Sequence, residues 1–158
     1  MIPVRIQSLG LDATSQQPIV VLREEAGLRV LPIWIGHPEA TAILIAVEEV
    51  SLPRPMTHDL MLGVLSSADM ILERVEVTRV EDGTYYAALI IRGEERTLAV
   101  DARPSDSIAL AVRARCPILV AEDVMDAAGL IPEDDAEHEV EVFRDFLAHV
   151  EPEDFGHS

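Results

Sequence analysis

The sequence predicts an α+β fold with a duplicated βββα-type core and a mixed or antiparallel sheet. Residues 18–46 and 85–112 follow one order: an apolar strand-like run, a polar turn with Gly, a second apolar run, and a Pro-containing turn that opens an apolar helix. Pro38 and Pro104 occupy the same point in the two copies, 66 residues apart. With the neighbouring strand-like segments, the internal repeat covers approximately residues 2–50 and 70–115.

The first copy contains three predicted strands and a helix. Residues 2–11 alternate apolar and polar side chains, which is typical of a half-buried strand. Residues 18–23 and 28–35 are apolar runs around a polar turn with Gly27, so we expect a hairpin. Residues 39–50 are apolar nearly all round, which predicts a helix buried on most sides.

A loop and a helix are predicted between the copies. The two prolines in residues 52–56 indicate a loop, and Thr57 is a candidate N-cap for a helix that reaches residue 67. The second copy then predicts strands at 70–79, 84–91 and 95–100, followed by a helix at 105–115. A short strand at 118–121 and a short helix at 123–128, ended by Gly129, complete the first domain.

The chain divides by composition into a domain of residues 1–132 and an acidic segment of residues 133–158. Ten of the 29 acidic residues lie in that segment. Its apolar residues recur at helical spacing, which predicts a C-terminal amphipathic helix over 137–150. This helix would either pack on the core or form an oligomer contact.

Charge and cysteine content exclude several classes of protein. The 158-residue chain has a net charge of −17, which argues against a polyanion binder that relies on Lys and Arg alone. A nucleic-acid activity would therefore need metal ions, a local basic patch or a partner. The apolar runs are too short and interrupted for a membrane span, and we expect no signal peptide. The single cysteine cannot form an internal disulfide, so we expect a cytoplasmic protein.

The two copies differ at the junction between the last strand and the helix. The first copy has Ile-Gly-His-Pro-Glu39, whereas the second has Asp101, Arg103, Ser105 and Asp106 within six residues. One interpretation is structural: Pro starts the helix, Ser or Asp caps it, and Arg103 pairs with Asp106. The other is a polar site whose carboxylates act as oxygen ligands for a metal.

A second polar segment, Arg-Pro-Met-Thr-His-Asp-Leu, lies between the copies at residues 54–60. His58 and Asp59 are adjacent, so in a helix their side chains point about 100° apart and serve different partners. His58 is either solvated at the helix start or a general base or metal ligand. The sequence has no zinc-binding Cys/His spacing, phosphate-binding loop, Gly-x-Ser-x-Gly motif or dinucleotide fingerprint.

Three segments, WIGHPEATAI, RPMTHDL and DARPSDSIALAVR, resemble the bifunctional nuclease family. The resemblance covers roughly residues 2–130. It implies an α+β fold with a duplicated core, a homo-oligomer, most simply a dimer, in a bacterial cell, and hydrolysis of DNA and RNA with little base preference. The family's polar motifs fall on a set of residues that this chain retains: Glu39, Arg54, Thr57, His58, Asp59, Asp101, Arg103, Ser105 and Asp106.

The first functional hypothesis is a nuclease that depends on Mg²⁺ or Mn²⁺. Asp59, Asp101 and Asp106 are the ligand candidates, with Glu39 as a further one, and these three aspartates and His58 form the catalytic set, His58 as the base. Arg54 and Arg103 are candidate phosphate contacts, and Thr57 and Ser105 complete the substrate-binding set. Two alternatives remain open: a non-enzymatic oligomeric regulatory or interaction module, and a hydrolase of a small phosphorylated metabolite.

Overall fold

The computed structural model describes residues 1–132. The helix expected over 137–150 lies outside the described residues. The elements follow in the order β1 (Ile2–Leu11), β2 (Pro18–Glu24), β3 (Val30–Trp34), α1 (His37–Val47), α2 (Thr57–Ser67), β4 (Ile71–Glu81), β5 (Thr84–Arg92), β6 (Thr97–Ala102), α3 (Pro104–Ala114), β7 (Ile118–Val120) and α4 (Glu122–Ala128).

All seven strands form one mixed sheet in the order β3-β2-β1-β7-β4-β5-β6. Neighbouring strands are antiparallel except β4 and β7, which are parallel. Each half of the sheet is a meander of three strands, and the short strand β7 joins the halves in the middle. The prediction of an α+β fold with a mixed sheet is confirmed, whereas a duplicated origin of the two halves stays a prediction.

The helix boundaries differ from expectation by a few residues, for local reasons. Helix α1 begins at His37, two residues early, because Pro38 fits the first turn, where no hydrogen bond from its nitrogen is needed. It ends at Val47, and Glu49 takes a positive φ of 51°, which stops the helix. Thr57 is not the N-cap of α2: Met56 holds that position, and its N–H donates to Oδ2 of Asp59 at 3.0 Å.

The core lies between one face of the sheet and the helices. Helix α1 packs against β2 and α3, and α3 packs against β4 and β5. Alternate residues of the strands point into this core, together with the inner faces of α1, α3 and α4: Val20, Leu22, Leu31, Ile33, Val75, Val77, Leu89, Ile91, Ile43, Leu44, Ile108, Leu110, Val124 and Met125. Helix α1 is therefore buried as expected, and the packing fixes it side by side with α3.

Helix α2 differs from α1 and α3 because none of its residues is fully buried. It lies against α3 and β4 and leaves Leu60, Met61 and Val64 exposed. Helices α1, α2 and α3 have 11 residues each. Within residues 1–132, no helix is long and apolar enough to cross a membrane.

Candidate functional site

The polar segments singled out in the sequence meet in one place, at the N-terminal ends of α1, α2 and α3. Because α1 and α3 pack side by side, the two strand-to-helix junctions become neighbours, and the start of α2 covers them. Together they line a cavity of about 330 Å³, to which α1 contributes Glu39, α2 contributes Thr57 and His58, and α3 with its N-cap contributes Arg103, Asp106 and Arg113.

Four of these side chains form a continuous chain of hydrogen bonds. Nε2 of His58 lies 2.9 Å from Oδ1 of Asp106. Arg103 donates from Nε to Oδ2 of the same carboxylate at 2.9 Å and from its terminal nitrogen to Oε1 of Glu39, also at 2.9 Å. Both oxygens of Asp106 are thus engaged, one by the imidazole and one by the guanidinium.

The electrostatics of the chain keep Asp106 ionised. Partial burial alone would raise the pKa of Asp106, but the hydrogen bonds from Arg103 and His58 outweigh burial and lower it. The hydrogen bond to the Asp106 carboxylate raises the pKa of Arg103, and the hydrogen bond to Glu39 raises it further by a smaller amount. The side chain of His58 is only 12% exposed. Its imidazole contacts the Asp106 carboxylate, which stays charged at neutral pH.

Asp59 serves a different partner from His58, as the helical geometry predicts. Its Oδ1 accepts a hydrogen bond from Nε of Arg113 at 3.0 Å, and its Oδ2 accepts one from the Met56 N–H. Arg113 also donates to the carbonyl oxygen of Ala109 at 2.8 Å. Asp59 therefore ties the start of α2 to α3 and thereby holds His58 over Asp106.

Two further cavities adjoin the central one and share walls with it. One, of about 410 Å³, contains Arg54 and shares Arg113 and Ile45 with the central cavity. The other, of about 440 Å³, contains Ser105 and shares Glu39 and Arg103 with it. Arg54 and Ser105 thus lie in the two cavities next to the cluster.

Asp101 is the candidate residue that lines none of these three cavities. In β6 it pairs with Ala88, whereas its neighbour Val100 pairs with the core residue Leu89. Because side chains alternate along a strand, Asp101 faces away from the helices. Its backbone lies close to the junction, but its exposed side chain is on the other face of the sheet.

The carboxylates near the cavity do not fit a divalent cation as they stand. Glu39 and Asp106 are both paired with Arg103, and Asp59 is paired with Arg113. In the described part of the chain, no three His, Cys, Asp or Glu side chains are grouped so that they could hold a metal ion. The expectation of Mg²⁺ or Mn²⁺ stays a prediction.

Two residues of the site, Arg113 and Trp34, are not among those that the sequence predicted. Arg113 follows Asp106 by seven residues, so the two share a face of α3, and that spacing was a usable signal. Trp34 ends β3 and lines the 440 Å³ cavity together with Tyr85 and Arg103. Its role depends on the nearness of β3 to the start of α3, which no local pattern reveals.

The arrangement provides a histidine oriented by a carboxylate, beside a guanidinium, in an open cavity. An oriented imidazole can take or give a proton near neutral pH. A guanidinium is well suited to bind the oxygens of a phosphate. The site therefore combines an acid–base group with an anion contact, and this combination suits chemistry on a phosphate ester.

Comparisons with known proteins identify the family of the chain. The profile of the bifunctional nuclease domain matches residues 20–133. An uncharacterised protein of Mycobacterium tuberculosis is 41% identical over 161 residues, which cover 96% of each chain. Bifunctional nuclease 1 of Oryza sativa subsp. japonica is 27% identical over 122 residues, and bifunctional nuclease 2 of the same plant is 25% identical over 128. These matches cover 75% and 78% of this chain but 37% and 39% of the plant proteins. The chain belongs to the bifunctional nuclease domain family.

Proposed function

We propose that this protein is a nuclease that hydrolyses phosphodiester bonds of DNA and RNA in the cavity between α1, α2 and α3. The observation that carries the proposal is the contact of His58 and Arg103 with one carboxylate, that of Asp106. Family membership and the names of the plant relatives support nucleic acid as the substrate.

His58 acts as the general base. The hydrogen bond between Nε2 and the ionised Asp106 carboxylate holds the proton on Nε2, which leaves the lone pair on Nδ1. Within residues 1–132, Nδ1 of His58 has no hydrogen-bond partner and is not fully enclosed, and His58 lines the cavity, so a water molecule in the cavity can approach it. A water molecule gives one proton to Nδ1 while its oxygen bonds to phosphorus, the ester P–O bond breaks, and the leaving oxygen takes a proton from solvent.

Arg103 binds the phosphate. Its contacts with Asp106 and Glu39 use only two of its N–H groups, and its side chain is 62% exposed, so N–H donors remain for a ligand. Arg54 lies in the adjoining cavity, where it can contact a neighbouring phosphate of the same strand. Asp106 orients His58 and Arg103 and does not itself touch the substrate.

The overall charge sets the conditions under which this activity should appear. At a net charge of −17 the protein repels a polyanion at long range, so binding depends on the arginines near the cavity. We expect cleavage of short or single-stranded substrates to be favoured by moderate salt, which screens that repulsion.

The test is cleavage of labelled single-stranded RNA and DNA by purified protein in Mg²⁺, Mn²⁺ or EDTA. Wild type is compared with His58→Ala and Asp106→Asn, and with Asp123→Asn as a matched control, since Asp123 is an exposed carboxylate on α4. We expect each of the two site variants to lose about 10²-fold or more in rate, and the control to lose none. Circular dichroism checks that every variant is folded.

Each result has a defined meaning. Equal cleavage by wild type and folded His58→Ala protein would show that the activity comes from a contaminant or another site. Loss of cleavage in Asp101→Ala, with His58→Ala still active, would place the chemistry on the other face of the sheet. Hydrolysis of small phosphate esters but not of nucleic acid would favour the phosphorylated-metabolite alternative.

The exposed face of α2 favours a second property, self-association. Leu60, Met61 and Val64 are 55%, 40% and 59% exposed and share one side of the helix. Exposed apolar residues that cluster in this way mark interaction surfaces. We infer that a second copy of this chain covers them, which agrees with the homo-oligomer that the family resemblance implies.

A further inference from the structure

The 440 Å³ cavity beside the His58–Asp106 pair contains the one tryptophan of the chain, Trp34. We propose that this cavity binds a nucleobase, which stacks on the indole of Trp34 while its phosphate contacts Arg103. The proposal rests on the function proposed above and adds to it a preference for unpaired bases.

Trp34 is held in position and open to a ligand. It ends β3, where its neighbours Ile33 and Ile35 point into the core and the indole points out, 47% exposed. The indole Nε1–H donates to Oδ2 of Asp12 at 3.1 Å, and Oδ1 of Asp12 accepts from the N–H of Thr14 at 2.8 Å. The ring is therefore oriented before any ligand binds, so stacking costs little side-chain entropy.

The cavity has the size and lining that a base requires. Its volume of about 440 Å³ is within the range of small-ligand sites. Tyr85 provides a second aromatic ring in the same cavity, and Gln17 and Ser105 provide polar groups that can both donate and accept hydrogen bonds. Aromatic platforms of this kind bind bases with little regard to sequence, because every base has an aromatic face.

Continuity with the central cavity links base binding to the chemistry. Glu39 and Arg103 line both cavities, so a phosphate at Arg103 lies where the cavity with the His58–Asp106 pair meets the cavity with Trp34. A base reaches the indole only when it is not stacked and paired in a duplex. The geometry therefore favours single-stranded over double-stranded substrates.

The fluorescence of Trp34 provides a direct test, because no other tryptophan contributes to the signal. Wild-type protein is titrated with a short oligothymidylate and with an abasic oligonucleotide of the same length and charge, both in EDTA. Base stacking quenches indole fluorescence, so we expect quenching by the thymidine strand and much less by the abasic strand. Fluorescence anisotropy of dye-labelled oligonucleotides then gives the affinity of variants that lack the indole.

Three variants distinguish a loss of base stacking from a change in folding or in electrostatic binding of the strand. We expect Trp34→Ala to weaken binding of the thymidine strand about 5- to 100-fold and Trp34→Phe to stay within about 3-fold of wild type. Neither change should alter binding of the abasic strand. Tyr86→Ala is the matched control, because Tyr86 is an aromatic residue of β5 that packs under Arg79 and is not among the residues that line this cavity.

The outcomes distinguish this proposal from the proposed function. Equal affinity for thymidine and abasic strands, or equal effects of Trp34→Ala and Tyr86→Ala, would overturn the base site even if the protein cleaves nucleic acid. Base-dependent binding that is lost in Trp34→Ala, without any cleavage, would support the base site and contradict the nuclease. Absence of binding to either strand overturns the base site.

Discussion

Glu39 and Arg103 are 64 residues apart in the sequence, yet the Glu39 carboxylate accepts a hydrogen bond from Arg103 at 2.9 Å. Each residue lies at the start of a helix that follows a three-strand meander, so the contact joins the two helices that follow the two halves of the sheet. Arg103 also binds Asp106, and one guanidinium thus pairs with two carboxylates. A cation bound by both of these carboxylates would have to displace this guanidinium.

The first prediction concerns Arg103 and metal ions. We expect Arg103→Ala to bind Mn²⁺ at least about 10-fold more tightly than wild type, because removal of a unit charge leaves Glu39 and Asp106 uncompensated. Isothermal titration calorimetry with Mn²⁺ measures both affinities. Arg115→Ala is the control, since Arg115 is an exposed arginine paired with Glu49 at 3.5 Å, away from the cavity. Tighter binding of Mn²⁺ by wild type would show that the metal uses other ligands.

The second prediction concerns Asp106 and acid stability. Its folded-state pKa is lowered below the ordinary value of 3.8, so its contribution to stability is full above that value and is lost as the pH falls through the folded-state pKa. We expect the difference in free energy of unfolding between wild type and Asp106→Asn to shrink from about pH 6 to about pH 3. Urea unfolding at several pH values measures this difference. A difference that does not change with pH would contradict the assigned hydrogen bonds to Arg103 and His58.

Most of the fold follows from local patterns in the sequence. Alternating apolar residues predicted the strands, and Pro38 and Pro104 marked the helix starts to within two residues. The prediction of Thr57 as the N-cap of α2 was wrong. The Asp59 side chain accepts a hydrogen bond from the Met56 N–H, and Met56 is the capping position. The capping position depends on which nearby side chain forms the hydrogen bond with the backbone N–H at the helix start, and residue type alone does not determine this.

The composition of the cluster was only partly predictable. Asp106, Arg103 and His58 belong to motifs that the sequence shows. They contact one another because α1, α2 and α3 begin next to the same cavity. Asp101 lies in the same motif but points to the other face of the sheet, because a strand reverses its side chains at every residue. Trp34 and Arg113 join the site through tertiary contacts between segments far apart in the sequence.

The third prediction concerns Arg113, the link between α2 and α3. Its side chain is 8% exposed and binds both the Asp59 carboxylate and the Ala109 carbonyl oxygen. We expect Arg113→Met to lower the free energy of unfolding by about 1–3 kcal/mol, since the loss of charged hydrogen bonds is only partly offset by the buried methionine. Denaturant unfolding measures the loss. Arg115→Met, at the exposed C-cap of α3 two residues further on, should change stability by no more than about 0.5 kcal/mol. Equal effects of the two changes would contradict the role of the Asp59–Arg113 pair.

The fourth prediction concerns the exposed face of α2 and self-association. A glutamate at position 60 would place a charge in the middle of the apolar patch and would have to be desolvated in any contact between copies. We therefore expect wild type to form an oligomer and Leu60→Glu to be shifted to monomer, as measured by size-exclusion chromatography with light scattering. Leu28→Glu is the control, because Leu28 is 65% exposed in the β2–β3 turn and outside the patch. A monomeric wild type, or an oligomer that Leu60→Glu leaves intact, would show that α2 is not the interface.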